Sequence, residues 1–267
     1  GIPSYPPDVN HSKERFTVEG KGIRVGLLAV KNLGSGAIQA ILTAREKKPF
    51  TSLEDFCHRV NLGTVNKRAV ESLIRVGAFA STGRTRRGML ADLERAFEAA
   101  HSYAARQASG QFTLFDLGAA LPSPPGINPA PEEEFSPSTL LTMEKEYLGV
   151  YLSGHPLDPW REKMAQNRIP PLSEILEEGK EENVIVGGVV SGWRRLTTKS
   201  GKTMATFTLE DLSAAVEVLV FPQLYEKIAL EADNDRVVLV KGRLDADEDN
   251  PKFLASQIRW LPERPEE

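Results

Sequence analysis

The chain has 267 residues, a mass of 29.4 kDa and a formal net charge of −4. Its hydrophobic fraction of 40% suits a folded chain of about two domains and excludes a wholly disordered one. No run approaches the roughly 18 apolar residues of a membrane helix, and no signal peptide is visible. The single cysteine, Cys57, excludes intrachain disulfides and thiolate metal clusters. We therefore expect a cytoplasmic protein.

The two halves of the chain differ in charge. Residues 1–115 carry 17 Lys and Arg against 10 Asp and Glu, a net of +7, whereas residues 116–267 carry 16 against 27, a net of −11. The excess of base in the first half favours a polyanionic partner, although a solvated surface rich in lysine and arginine would give the same counts.

In chain order, a β-hairpin comes first and helices follow. Two helix starts carry capping residues: Thr51 with Glu54 three residues on, and Asn66. Apolar spacing and these caps predict a hairpin over 16–25 and helices over 37–45, 51–60, 66–77 and 85–107.

A proline-rich stretch, residues 116–137, separates this helical half from a β-rich half. It contains six prolines and the acidic run 132–134, so it cannot form a helix and has little to bury. We predict a semi-extended connector here and a helical connector over 138–180.

The second half alternates like β-strands. The pattern predicts a helix between the third and fourth of five strands, an order that fits an OB barrel, although a barrel without a ligand would show the same order. The predicted strands are 184–194, 204–209, 215–221, 236–242 and 253–260, with the helix over 222–230.

The segment 30–38 is a tight turn between two short helices and a candidate phosphate site. Its glycines permit left-handed backbone angles and close approach of a ligand, and the unpaired N–H groups at the next helix start favour an anion. A second copy is predicted at 73–83, followed by three arginines, although an ordinary αα-hairpin and a solvated helix start would fit too. The candidate duplex-DNA contacts are Lys31, Asn32, Gly34, Ser35, Gly36, Gly77, Gly83, Arg84, Arg86 and Arg87.

Aromatic and basic residues of the predicted barrel are candidates for contacts to single-stranded DNA. Aromatic rings can stack bases and a basic groove can follow phosphates, although the phenylalanines fit a core equally well and the negative net charge of this half weakens tight binding. The candidates are Trp193, Arg194, Arg195, Lys199, Lys202 and Phe207, with Phe221 as a further stacking residue.

A short peptide at the start of the linker is a candidate ligand for another protein. Leu114 and Phe115 are apolar residues on a proline-flanked segment that cannot bury them in a core of its own. Such a peptide docks in extended form, although a helix end packing locally would also fit. The candidate residues are Gln111, Phe112, Thr113, Leu114 and Phe115.

These features in this order resemble the C-terminal part of the bacterial DNA polymerase III alpha subunit, a family of replicative polymerases. The resemblance implies an α+β multidomain chain, in which an all-α tandem helix-hairpin-helix domain precedes a five-stranded OB β-barrel. The segments that carry it are Pro6–Asn10, Val25–Gly34, Ser52–Cys57, Asn66–Arg68, Gly77–Phe79, Glu144–Leu157 and Leu209–Asp211.

The resemblance also implies a separate binding role for each region. The hairpins would hold double-stranded DNA, the barrel would lie near the single-stranded template, and residues 111–115 would bind the bacterial sliding clamp. The remainder of the polymerase and replisome would be further partners, and no membrane is implied. The implied regions are the end of the preceding polymerase region at 1–26, the hairpins at 27–110, the clamp peptide and linker at 111–137, a connector at 138–180 and the barrel at 181–263.

The resemblance places the catalytic carboxylates and their Mg²⁺ before residue 1, so we expect no catalytic residue, cofactor or metal site here. Asn32 stands where the family's first hairpin often has glycine, and asparagine tolerates left-handed angles. An error-prone relative of this polymerase would share much of the pattern, and a tRNA-binding OB module would fit the barrel alone. An NAD-dependent DNA ligase would need four zinc cysteines and the reverse domain order, and a protein-interaction scaffold would not bind DNA.

Overall fold

The computed structural model describes residues 2–108, 133–179, 183–245 and 251–262. The chain divides into two compact units, Gly1–Ser153 and Gly154–Glu267. The predicted connector over 138–180 is split by this boundary. Within the described ranges, no helix is long and apolar enough to cross a membrane.

The first unit combines a small sheet with α-helices. Strands β2 and β3 form the predicted hairpin, and β1 adds to β3 in parallel, with Ser4 opposite Ile23. The sequence did not indicate β1 because two residues show no alternation. The elements are β1 (Ser4–Tyr5), β2 (Thr17–Glu19), β3 (Gly22–Arg24), α1 (Ser35–Arg45), α2 (Leu53–Arg59), α3 (Lys67–Arg75), α4 (Arg86–Ala108) and α5 (Pro137–Leu148).

An aromatic cluster lies at the centre of the first unit. The ring centroids of Phe50 and Phe56 are 4.8 Å apart, and those of Phe56 and Phe79 are 5.0 Å apart in an edge-to-face arrangement. All three side chains are buried. Such pairs add stabilisation beyond the area that they bury, so the cluster joins the start of α2 to the loop after α3.

The start of α2 differs by one residue from the predicted capping box. Ser52, and not Thr51, is the N-cap, and its side chain accepts the N–H of Asp55. Asp55 in turn accepts the N–H of Thr51 at 3.1 Å. Ser52 and Asp55 therefore form the capping hydrogen bonds that the sequence predicted for Thr51 and Glu54. Asn66 caps α3 as predicted, since its side chain accepts the N–H of Ala69.

The segment Pro6–Asn10 ties distant parts of the first unit together. The Asn10 amide accepts the N–H of Phe50 at 2.7 Å and donates to the carbonyl of the same residue at 2.9 Å. Asp8 is buried and accepts the hydroxyl of Ser81 at 3.1 Å. These polar residues satisfy loop groups that would otherwise be buried without partners.

The second unit is a closed barrel preceded by two short helices. The strand order is β4-β5-β6-β8-β7, in which β6 and β8 are parallel and the other neighbours are antiparallel. The predicted fold class, with a five-stranded OB barrel after a helical domain, is confirmed. The elements are α6 (Arg161–Gln166), α7 (Leu172–Glu178), β4 (Val184–Thr197), β5 (Thr203–Glu210), β6 (Ala215–Val220), α8 (Pro222–Ile228), β7 (Val237–Asp245) and β8 (Lys252–Trp260).

Alternating apolar side chains fill the barrel. Val186, Val190, Phe207 and Phe253 are buried and belong to one core cluster inside the barrel. Asp211 joins the barrel to α7, since one carboxylate oxygen accepts the N–H of Leu172 at 2.8 Å while the other accepts N–H groups of the β5–β6 turn. The charge sits at the start of α7, where the helix dipole favours an anion.

Candidate nucleic-acid interface

The first predicted turn presents an uncapped helix start. Gly34 is the N-cap of α1 and no side chain caps the first turn. Gly34, Ser35 and Gly36 are exposed, while Leu33 is buried beneath them. The free N–H groups of a helix start favour an anion such as a DNA phosphate.

The left-handed residue of this turn is not the predicted glycine. Gly34 has a φ of −84°, an ordinary value, and the left-handed residue is Asn32, with a φ of 64°. The Asn32 amide donates to the hydroxyl of Ser72 at 3.0 Å. Asn32 therefore shapes the turn and links it to α3, and its amide is not a free DNA contact.

The second hairpin lies at 60–66, not at the predicted 73–83. Helices α2 and α3 flank this turn, in which the Asn61 carbonyl accepts the N–H groups of Thr64 and Val65. A Cβ placed on Gly36 would lie 3.4 Å from Cγ2 of Thr64, so the two turns are neighbours. Tandem hairpins are therefore present, but with a different second member.

The segment 73–83 instead ends α3 and leads into α4. Gly77 and Gly83 have φ values of 76° and 80°, which favour glycine. A Cβ on Gly77 would lie 2.7 Å from the Arg86 guanidinium, so Gly77 makes room for that side chain. Its left-handed angle serves internal packing and not the approach of a phosphate.

The three arginines after this segment have different environments. Arg84 pairs with Asp92 at 2.8 Å. Arg86 is largely buried, donates to the Arg75 carbonyl at 2.9 Å and pairs with Glu144 at 3.4 Å. Arg87 is exposed. The prediction that all three contact DNA is wrong for Arg86, because its charge is used inside the protein.

A cleft of about 260 Å³ is lined by residues of the first hairpin turn, α3 and α5. Lys31 and Arg68 supply positive charge to its lining, and Glu71 and Glu146 supply negative charge. Burial raises the pKa of Tyr147, whose side chain belongs to the same lining. Arg68 is a basic residue at this surface that the sequence reasoning did not select. Its position in the first turn of a capped helix was the available signal.

In the barrel, one predicted stacking residue belongs to the core. Phe207 is 1% exposed and stacks on Trp193 at 5.3 Å between ring centroids. The prediction that Phe207 stacks a base is therefore wrong, because its ring has no open face. Trp193 is partly buried, and Phe221 is 47% exposed at the start of α8.

The predicted basic residues of the barrel lie together on the β4–β5 hairpin. The Thr198 N–H donates to the Lys202 carbonyl at 2.8 Å, which closes the turn and fixes its shape. All four side chains are exposed, so this hairpin presents a basic surface that a nucleic acid can reach. The four residues are Arg194, Arg195, Lys199 and Lys202.

The candidate clamp peptide, Gln111–Phe115, lies outside the described residues. Across the part of the chain that is described, no three His, Cys, Asp or Glu side chains are placed to hold a metal ion.

Comparison with known proteins agrees with this architecture. A helix-hairpin-helix motif matches residues 1–89, and an OB-fold nucleic acid binding domain matches residues 184–261. Over 266 residues the chain is 38% identical to the DNA polymerase III subunit alpha of Saccharopolyspora erythraea, covering 96% of this chain and 22% of that protein. The same subunit of Thermus aquaticus is 41% identical over 268 residues, covering 98% and 21%.

The chain belongs to the DNA polymerase III alpha subunit family. It spans about a fifth of the length of the relatives that it matches, and the matched region is their C-terminal part. The resemblance predicted from the sequence is confirmed, and the chain carries nucleic-acid-binding domains of that subunit.

The chain also matches parts of solved structures weakly. The mitochondrial single-stranded DNA binding protein Rim1 of S. cerevisiae matches 30% of this chain and 93% of its own, with 10% identity and a TM-score of 0.26. That score carries no functional argument.

Proposed function

We propose that this chain is the region of a DNA polymerase III alpha subunit that holds duplex DNA with its two hairpin turns. The observation that carries the proposal is the pair of neighbouring turns, one of which begins an uncapped helix, with Lys31 and Arg68 beside them. A DNA phosphate satisfies free helix N–H groups without reading a base, so the contact suits a polymerase that must accept every sequence. Nucleotide incorporation belongs to the rest of the polymerase, and this chain alone should incorporate none.

Charge reversal tests the duplex proposal. In fluorescence anisotropy with a labelled duplex, Lys31→Glu with Arg68→Glu should weaken binding equally across sequences. The slope of log affinity against log salt should also fall by about 0.9 for each phosphate that the variant no longer neutralises. The matched control is Lys21→Glu with Lys47→Glu, two exposed lysines outside the cleft lining. Equal losses of affinity in both double variants would mean that only net charge matters and would contradict the proposal.

The β4–β5 hairpin is the proposed contact to single-stranded template. Its exposed arginines and lysines lie in or just before a closed turn, and Trp193 is the preceding residue, which suits weak and sequence-tolerant binding. Arg194→Glu with Lys202→Glu should reduce oligothymidylate binding, and Lys227→Glu with Arg243→Glu should not. If the control pair loses as much affinity, the hairpin is not the binding surface.

Residues 111–115 are the proposed ligand of the bacterial sliding clamp. The support is the family resemblance of this segment and its pair of apolar anchors, Leu114 and Phe115, after a glutamine. Calorimetric titration of the chain with a bacterial clamp should show binding that Gln111→Ala and Phe115→Ala remove. Ser123→Ala, in the same linker, should leave the binding unchanged, and an absence of binding by the parent chain would overturn this part.

A further inference from the structure

Four large apolar side chains lie on one face of the small sheet in the first unit. Val18 of β2 is paired with Ile23 of β3, and Ile23 is paired with Ser4 of β1. Paired residues point to the same face of a sheet, and so does every second residue along a strand. Ile2 and Phe16, each two residues before a paired position, therefore extend this face. We call these four residues, Ile2, Phe16, Val18 and Ile23, the sheet face.

The sheet face is open to solvent. Val18 is 84% exposed, and Phe16 is 61% exposed. None of the four residues belongs to the buried core cluster of the first unit. Single exposed apolar side chains are common on protein surfaces, but several side by side mark an interaction surface.

The opposite face of the same sheet is occupied by contacts within the chain. Arg24 lies over the Tyr5 ring at 5.1 Å and donates two hydrogen bonds to the Glu19 carboxylate, at 2.6 and 2.7 Å. Arg24 also donates to the Pro6 carbonyl at 2.9 Å, so its side chain is only 12% exposed. Among the described residues, the sheet therefore has partners for its polar face and none that cover its apolar face.

Strand β1 brings the start of the described chain to the sheet face. The Ile23 N–H donates to the Pro3 carbonyl at 2.9 Å, so residues 2–5 run along the sheet and not away from it. In the relatives, the matched region is the C-terminal part, about 22% of the length, and the larger part precedes it. A region joined through β1 meets the sheet face as an intramolecular partner, at a high effective concentration.

We propose that the sheet face packs against the polymerase region that precedes residue 1 in this family. The hairpin unit is then joined to the polymerase by side-chain packing as well as by the backbone. Burying Phe16, Val18 and Ile23 removes apolar surface from water, which is the main favourable term in such contacts. The surface that covers them is apolar too, because none of these side chains can form a hydrogen bond. The proposal rests on family membership and is independent of the DNA contacts of the proposed function.

A second copy of the chain and a nucleic acid are the competing occupants. A second copy would have to reach the sheet face by diffusion, whereas the preceding region is tethered beside it. A nucleic acid needs positive charge to neutralise its phosphates, and valine, isoleucine and phenylalanine supply none.

Hydroxyl-radical footprinting tests the proposal on the full-length alpha subunit and on the 267-residue chain alone. The radical oxidises side chains in proportion to their exposure. Phe16 is 61% exposed in the chain alone and a core side chain is about 5% exposed, so its oxidation rate should fall about tenfold in the full-length subunit. Ile23 should be protected as well. Leu230, a fully exposed residue after α8, is the control and should be oxidised at the same rate in both proteins.

Val18→Glu should remove the protection. Val18 is exposed in the 267-residue chain, so this variant should leave the Tm of that chain unchanged. In the full-length subunit it would bury an unpaired charge, so the oxidation rates of Phe16 and Ile23 should rise towards those of the chain alone. The control variant is Lys21→Glu, which places a carboxylate in the turn between β2 and β3 and off the sheet face, and it should leave the protection intact.

Three results would overturn the proposal. The first is an equal oxidation rate of Phe16 in both proteins. The second is protection in the full-length subunit that Val18→Glu does not relieve, or that Lys21→Glu relieves equally. The third is protection that appears in the 267-residue chain alone as its concentration rises, which would assign the sheet face to a second copy.

Discussion

Replacing Arg86 by alanine should destabilise the first unit without weakening its binding to DNA. The Arg86 side chain donates to the Arg75 carbonyl and pairs with Glu144, whose side chain is 2% exposed. Removing one partner of a buried ion pair costs about 3–5 kcal/mol, because the remaining charge is left uncompensated.

The lower end of that range applies here. The second carboxylate oxygen of Glu144 still accepts the N–H groups of Leu152 and Ser153 at 2.9 Å, which retains part of its stabilisation. A loss of about 3 kcal/mol lowers Tm by roughly 6–12 °C in a unit of this size, at about 2–4 °C per kcal/mol. Arg86→Lys keeps a positive charge and should recover part of the loss.

Calorimetric melting of the full chain measures this, with Arg87→Ala as the matched control. Arg87 is the exposed neighbour of Arg86, and its replacement should change stability by less than about 0.5 kcal/mol. Duplex affinity measured well below Tm should be the same for Arg86→Ala and the parent chain. An unchanged Tm together with weakened duplex binding would refute the internal role of Arg86 and restore it as a DNA contact.

Three further predictions concern buried groups. Phe207→Ala should lower the free energy of unfolding of the barrel by about 3–5 kcal/mol in thermal melting. Phe207→Leu should keep oligonucleotide affinity, and a loss of affinity in a stable Phe207→Leu chain would contradict the core position of Phe207. Burial raises the pKa of the Cys57 thiol to about 12, so thiol reagents at pH 8 should label it only at the rate of unfolding; immediate labelling of the native chain would count against this. Because the native pKa lies above the unfolded value of about 8.5, stability from this thiol is present below about pH 8.5 and declines as pH rises towards 12, which alkaline urea titrations of the parent and Cys57→Ala can compare. Asn10→Ala should cost about 2 kcal/mol in urea unfolding, since the Phe50 backbone loses both of its Asn10 partners; a cost near zero would show that these bonds are replaceable.

Local patterns were sufficient to predict the strands and helix of the barrel and their order along the chain. Alternation between buried and partly buried positions in β6 follows directly from side chains that point to opposite faces. Asn66 indicated the start of α3 because a cap acts within one turn. These signals depend on neighbours along the chain, so a single sequence contains them.

The second hairpin was misplaced for a reason that lies in packing. Gly77 and Gly83 do adopt left-handed angles, but Gly77 does so beside the Arg86 guanidinium and not beside a ligand. The real turn at 60–66 has one glycine and a polar network around Asn61. Glycine indicates an unusual backbone angle, and a sequence does not say what that angle serves.

The helical first half, the β-rich second half, the order of the barrel's strands and helix along the chain, and the tolerance of Asn32 for a left-handed angle follow from residue order and local spacing. Whether a charged or aromatic side chain is free to bind DNA does not follow from the sequence, because it depends on residues that meet only after folding. Arg86 meets Glu144 across 58 residues, and Asn10 meets Phe50 across 40. Burial is a property of the folded chain, so the same residue type becomes a core group at Phe207 and an exposed one at Phe221.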